Sequence, residues 1–390
     1  MRRLLAVISI VLTFVLPAFA FALEAEETPE PVSRGELSEE VERQLSELDL
    51  SALDEYADML GEISDADSVP ELVAFYAEGG GSGESVLWDA AKALFSKELK
   101  ASLGAMTALV GAAVLTSLSG MIGGEGLKPV LSLILCGAAA AITAGIFASL
   151  LAEAGSAIAK TGELTEKAAP ILSTLLVSLG APSTAGLFRP MLVFLSGTVM
   201  KVIESVILPL VSLGGVLCVA DALTGGSRLS ELSGLIKRLA KWLLGLLSAF
   251  YFGMTAVRGL TLSMYDGVTL RTAKYAIDRL VPVVGGMVSG TVDSVMGCAL
   301  LIKNGIGCVT VIILVALTLR PLAVLLAGSF IFRAASALSQ PAADQRVIKL
   351  FSGAADMASL LFACAAASCC MLLLTLLVFI ASGGITAGLW

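Results

Sequence analysis

The sequence contains no histidine. That absence removes Ser–His and Cys–His nucleophile pairs, the common imidazole zinc sites and the usual general base near neutral pH. Charge is scarce too: Asp, Glu, Lys and Arg make up 15% of the 390 residues, against about a quarter in an ordinary soluble chain. There are seven cysteines (Cys136, Cys218, Cys298, Cys308, Cys364, Cys369 and Cys370), each inside an apolar run, and no two are spaced as C-x-x-C. A disulfide framework or thiolate metal site is therefore not expected, and the cysteines read as small membrane-core residues. The chain has no Walker A loop, no G-x-S-x-G elbow and no H-E-x-x-H helix. An intramembrane aspartyl protease needs two apposed aspartates, and Asp293 has no convincing second partner. The expectation is a protein that is not an enzyme, with no catalytic residue, cofactor or metal ligand.

What the chain has in excess is apolar surface. Hydrophobic residues reach 57% and the mean hydropathy is +0.91, more than a soluble core of this length can bury, so a bilayer is the natural solvent. The 39 glycines suit membrane helices that pack backbone to backbone. The net charge of −8 hides a division: Glu24 to Glu98 carries 21 acidic and four basic residues, whereas from Leu99 onward basic residues outnumber acidic ones by 19 to 12. Lys and Arg stand singly between apolar runs, so there is no basic stripe for nucleic acid.

Three regions follow. Residues 1–22 have the layout of a signal peptide: Met1-Arg2-Arg3, an apolar stretch from Leu4 to Phe21, and the small-x-small patterns Ala18-Phe19-Ala20 and Ala20-Phe21-Ala22. A retained first transmembrane helix is the alternative; either way the segment that follows is expected outside the cytoplasm. Residues 23–99 read as an exported acidic helical region. Leu37, Val41, Leu45 and Leu48 share one helical face, and Ser51-x-x-Asp54 resembles a capping box. Val86 to Leu99, with Trp88, reads as a helix at the bilayer surface leading into the first span. Residues 100–390 form the polytopic domain.

The fold class is accordingly all-α, a transmembrane helix bundle of about six to eight spans at ~20 residues each. Candidate spans are 101–123, 127–152, 171–188, 190–222, 240–262, 281–302, 305–331 and 357–383. The third is interrupted by Gly180-Ala181-Pro182, and the fourth, too long for one straight helix, carries Lys201, Glu204 and Pro209, as a broken or re-entrant pair would. The basic group Arg228, Lys237, Arg238 and Lys241 should face the cytoplasm, which turns the polar stretch Asp266 to Arg279 outward; Arg333, Arg346 and Lys349 fit that scheme less well. Small residues recur at four-residue spacing in Gly137, Ala141, Gly145, in Gly286, Gly290, Ser294 and in Gly120-x-x-x-Gly124; packing within the chain and self-association are both open to them.

Ionisable residues inside apolar runs are the candidates for function. Lys201 and Glu204 stand three apart on one helical face, and because an unpaired charge there costs at least ~2.5 kcal/mol, pairing them is the cheaper arrangement. They read as the polar lining of a pore or transport path, as a structural pair, or as two residues at an interface. Asp293, on one row with Ser289 and Gly297, belongs on a bundle interior or water-lined face.

The most specific segment runs Asp266-Gly267-Val268-Thr269-Leu270-Arg271-Thr272-Ala273-Lys274-Tyr275, then Val281-Pro282-Val283-Val284-Gly285, Asp293-Ser294-Val295-Met296-Gly297, Leu301-Ile302-Lys303-Asn304 and Gln340-Pro341-Ala342-Ala343-Asp344. This succession resembles the stage III sporulation protein AE family of endospore-forming bacteria. The resemblance rests most on Asp266, Gly267, Arg271, Thr272, Lys274, Pro282 and Gly285. It implies a multi-pass protein of the mother-cell membrane around the engulfed forespore. Its partners would be the other stage III A proteins and, across the intermembrane space, a forespore membrane protein, in a channel or transport complex that supports late forespore gene expression. It brings no catalytic residue with it. The other reading is a self-sufficient ion-coupled permease, with Lys201, Glu204 and Asp293 as coupling charges; such transporters commonly show internal repeats, and none is evident here.

Overall fold

Runs of apolar residues without interior breakers should fold as helices, since a backbone in lipid must satisfy its own hydrogen bonds. The computed structural model describes Lys100 and residues 103–122, 128–178, 182–224, 229–280, 285–340 and 344–387, with the backbone alone for 256–280, 285–301, 380–387 and several shorter stretches near helix ends and in α3. The expected signal peptide at 1–22, the acidic region to residue 99 and Pro282 lie outside the described residues, as does the side chain of Asp293. Every regular element described is helical: α1 (Leu103–Ile122), α2 (Lys128–Ser178), α3 (Pro182–Phe194), α4 (Leu208–Thr224), α5 (Ser230–Leu280), α6 (Gly285–Ser339) and α7 (Gln345–Ala387). Two π-helical stretches, Leu195–Met200 and Ile203–Ile207, join α3 to α4.

Among the described residues, four helical segments are long and apolar enough to cross a membrane: Val130–Val177, Leu192–Thr224, Ile302–Ser339 and Gln345–Phe379. At 1.5 Å per residue, α2, α5 and α6 are each roughly 75–85 Å long, more than twice the ~30 Å of a hydrocarbon core.

The boundaries differ from the sequence expectation in an instructive way. The polar residues between Glu153 and Lys167 were expected to separate two spans, yet α2 runs through them. Glu, Lys and Ala are strong helix formers, so the stretch changes the solvent a helix prefers without breaking the backbone. The same holds for Lys303-Asn304 inside α6 and for Asp266 to Arg279 inside α5. Proline acts by position: Pro170, Pro190 and Pro321 are carried inside helices, whereas two others mark changes in the chain. Pro182 opens α3, as its fixed φ favours at a first helical turn. Pro209 cannot donate to the carbonyl four residues back, and just before it Leu208 N–H donates to the Ile203 carbonyl, five back. The expected broken pair is thus a helix carried through a π-helical register.

One helix organises the rest. α7 packs against α2, α4, α5 and α6, and 67% of its most apolar window is buried, against 28% for α2; α7 is the core and α2 has a broad outward face. Contacts fix the directions. A Cβ on Gly353 would meet Cys218 and one on Gly214 would meet Met357, so α7 and α4 are antiparallel. Arg333 meets Asp356 and Thr318 meets Cys369, so α6 is antiparallel to α7. Lys237 meets Asp356 and Tyr251 meets Thr375, so α5 runs parallel to it.

This topology corrects the orientation scheme. Read as two spans, 281–302 and 305–331 return the chain to the wrong side and leave Arg333, Arg346 and Lys349 misplaced. As the single helix α6, they bring Arg333 to the end that holds Lys237.

Close approach occurs where glycine permits it. A Cβ on Gly215 would lie 2.4 Å from Phe147 Cε1, and one on Gly328 would lie 2.6 Å from Leu150 Cδ1. Phe147 and Leu150 are three apart on α2, so one edge of that helix seats into notches on α4 and α6. The anticipated row Gly137, Ala141, Gly145 is not such a surface: a Cβ on Gly145 meets nothing within 4 Å, and Ala141 and Gly145 are exposed.

Candidate functional site

Charges carried into an apolar bundle are costly unless paired, so the ion pairs between helices mark what the fold has to accommodate. Asp356 is the sole acidic residue of α7. Its Oδ2 accepts a hydrogen bond from Lys237 Nζ of α5. Its Oδ1 is 3.3 Å from Arg333 Nη2 of α6, and that same nitrogen donates to Ser359 Oγ at 3.2 Å. The three side chains are 26%, 42% and 35% exposed for Lys237, Arg333 and Asp356, so the group sits half-covered where three helices meet. Around it, Cys218 of α4 contacts Ser233 Oγ at 3.2 Å, and Ser233 Oγ donates to the Gly214 carbonyl at 3.5 Å. Nearer the start of α7, Ser132 of α2 donates to Asp344 at 3.5 Å. Polar contacts thus tie α2, α4, α5, α6 and α7 together at one end.

Deeper in the bundle the links are of another kind. The buried Tyr251 hydroxyl pairs with Thr375. Lys303, fully buried, holds its ammonium 5.4 Å from the centroid of the Phe379 ring, a cation–π contact that gains from the absence of water. Beside it the Asn304 Oδ1 atom is buried and accepts no hydrogen bond among the described residues. Lys303-Asn304 belongs to the sequence segment already singled out, and the structure puts it between α6 and α7.

Lys201 and Glu204 are both exposed, on the outer side of the π-helical region, while Ile203 and Ile207 between and beyond them are buried. No ion pair joins the two: an i→i+5 register displaces residues three apart from the common face an α-helix would give them. Met200 lies against Gly162 of α2, so the pair stands at the level of α2's polar stretch, where Lys160, Glu163 and Glu166 are also exposed and Glu163 pairs with Lys167 at 2.9 Å. Asp266, Gly267, Arg271, Thr272 and Lys274 lie along the last turns of α5, and Gly285 opens α6. Among the described residues, no three Cys, Asp or Glu side chains converge as a metal-ligand set.

Sequence reasoning missed Asp356 because it stands one residue before the last apolar run. The available signal was its isolation: a single carboxylate at the mouth of an apolar helix needs a cation from elsewhere in the chain.

Comparison with known proteins adds a family. The family model described as stage III sporulation protein AE matches residues 71–383. A protein of Bacillus subtilis (strain 168), stage III sporulation protein AE, is 28% identical over 193 residues, covering 50% of this chain and 48% of that relative. The chain therefore matches about half the length of this curated relative. No solved structure matches.

Proposed function

The chain belongs to the stage III sporulation protein AE family, and from that premise we propose that it is an integral membrane subunit of a mother cell-to-forespore channel or transport complex required for late forespore development. What supports the reading is the extent of the family match: residues 71–383 take in every long apolar helix and the end of the acidic region. The protein works without catalysis, as a membrane piece of the mother-cell membrane around the forespore; with α2 and α6 each a single helix, the expected six to eight crossings come down to at most six, one each for α1, α2, α3 with α4, α5, α6 and α7. Its partners are the other stage III A proteins and, across the intermembrane space, a forespore membrane protein. By the positive-inside tendency, the end bearing Lys237, Arg238, Lys241, Arg333, Arg346 and Lys349 faces the cytoplasm, and the acidic segment 23–99 faces the intermembrane space.

Affinity purification of the full chain from sporulating cells tests this directly. The other stage III A proteins are expected to co-purify; recovery of the chain alone, with saturable solute flux when it is reconstituted by itself, would establish the permease instead. If Lys201 and Glu204 line a path, the double variant Lys201→Gln/Glu204→Gln assembles normally while transport, read as late forespore gene expression, is lost. Unchanged sporulation in that variant would remove these residues from the mechanism.

A further inference from the structure

α2, α5 and α6 are each more than twice as long as a hydrocarbon core is thick, and contacts between helices show where the excess lies. Gly162 of α2 faces Met200, Gly155 faces Leu208, and Leu150 seats at Gly328 of α6. Both partners run antiparallel to α2. Counted outward from those contacts, Lys160 of α2, Lys201 and Glu204 of the π-helical region and Arg320 of α6 fall within about one turn of a common level. All four are exposed. From that belt toward the basic end, α4 runs about 20 residues to Thr224 and α6 about as far to Ser339. α1, which lines a groove with Leu135, Ala138 and Ile142 of the same stretch of α2, is itself 20 residues long. Such a length rises roughly 30 Å, the thickness of a hydrocarbon core.

The surface changes character at the same level. Among the described residues of α1 to α4, the large apolar side chains that face outward lie below the belt, with Ile134 and Val216 at 62% and 61% exposure; past it only Val177 and Val193 remain. There α2 exposes Glu163, Glu166 and Thr174 instead, and α3 exposes Arg189. The apolar residues of α6 and α7 past the belt are largely buried among the helices, so they need no lipid to cover them. Thr318, beside Arg320, meets Cys369 of α7. The level therefore falls on α5 between Lys237 and Tyr251, which meet Asp356 and Thr375. Trp242 stands there exposed, a residue suited to the membrane interface; farther along, the exposed Phe250 meets Phe194 edge-on at 6.4 Å. We infer that the hydrocarbon ends at the charged belt and that the bundle continues past it into water. The projection is roughly 27 Å high along α2, from Lys160 to Ser178, and roughly 50 Å along α6, from Arg320 back to Gly285. The belt's charges then sit among headgroups rather than in hydrocarbon, and the polar stretch Asp266 to Arg279 of α5 belongs to the projection. Assigning the projection to the non-cytoplasmic side rests on the orientation proposed above; the boundary does not.

The test is electron paramagnetic resonance on the full chain in phosphatidylcholine nanodiscs. Nitroxide is carried on a genetically encoded keto amino acid, which leaves the seven cysteines untouched. One label at a time replaces an exposed residue: Ile142 or Val216 below the belt, Thr174 or Arg189 past it. Accessibility to chromium oxalate, a trianion, is expected to be about tenfold or more higher at Thr174 and Arg189 than at Ile142 and Val216, the least that exclusion of a charge from hydrocarbon gives. Oxygen, which concentrates in hydrocarbon, should show the reverse order. A label at Thr174 or Arg189 no more open to the trianion than the one at Val216 would overturn the boundary and return the belt to the bilayer interior. The readout needs neither a partner nor a known orientation, so its failure is distinct from failure of the sporulation reading.

Discussion

Replacing Gly215 with valine is expected to abolish accumulation of the folded protein, whereas Gly145→Val, in the neighbouring helix, should be tolerated. The difference is steric. At Gly215 a Cβ alone would stand 2.4 Å from a ring carbon of Phe147, well inside any van der Waals contact, and valine adds two more methyl groups. The ring is buried in the seam where α2 meets α4 and α6, so relief requires the helices to part. Overpacking of this kind typically costs 1–3 kcal/mol, occasionally more, and here it acts on the seam that seats α2. Gly145 has nothing within 4 Å of its would-be Cβ. The check is monodispersity in detergent and membrane-fraction yield for both variants. Restoration of Gly215→Val by Phe147→Ala would identify the clash as the cause; normal yield of Gly215→Val alone would show that the seam is looser than described.

Asp356→Asn is the second large effect. The amide keeps the shape and removes the charge, which leaves Lys237 and Arg333 facing each other with no carboxylate between them. Breaking a fully buried pair from one side costs about 3–5 kcal/mol, and an exposed pair is worth about 0.2–1. With all three side chains between a quarter and under half exposed, the expected loss is about 1–3 kcal/mol, read as a lower unfolding temperature in detergent. Removing one cation as well, in Asp356→Asn/Lys237→Gln, should recover part of the loss because the repulsion is gone. A single variant as stable as the wild type would mean that water, rather than Asp356, neutralises the two cations.

The sequence made the helical class and the approximate apolar stretches legible because lipid leaves the backbone few options: α1 coincides with the first expected span, and the interruption expected at Gly180-Ala181-Pro182 falls where α2 gives way to α3. It misjudged where helices end. Hydropathy reports which solvent a residue prefers, and Glu153–Lys167 or Lys303–Asn304 can change that preference inside an unbroken helix. The consequence reached beyond boundaries: counting α6 as two spans reversed the expected side of Arg333, and only the shared contact with Asp356 brings both basic groups to one end. Lys201 and Glu204 were found by type and spacing, but their separation in space depends on a π-helical register that no three-residue rule anticipates. The Lys237–Asp356–Arg333 group was illegible for a different reason, since Lys237 and Arg333 lie 119 and 23 residues from Asp356 and meet it only where α5 runs parallel and α6 antiparallel to α7.

Site-resolved labelling with a membrane-impermeant maleimide asks the question most directly. Cysteine is introduced in turn at the exposed positions Ser230 and Gln345, which head α5 and α7. A bilayer-embedded bundle with both basic ends on the cytoplasmic face predicts that neither site reacts in intact cells and that both react once the membrane is permeabilised. If one site were labelled in intact cells while the other stayed protected, the single-helix reading of α6 and the shared face built on it would be contradicted.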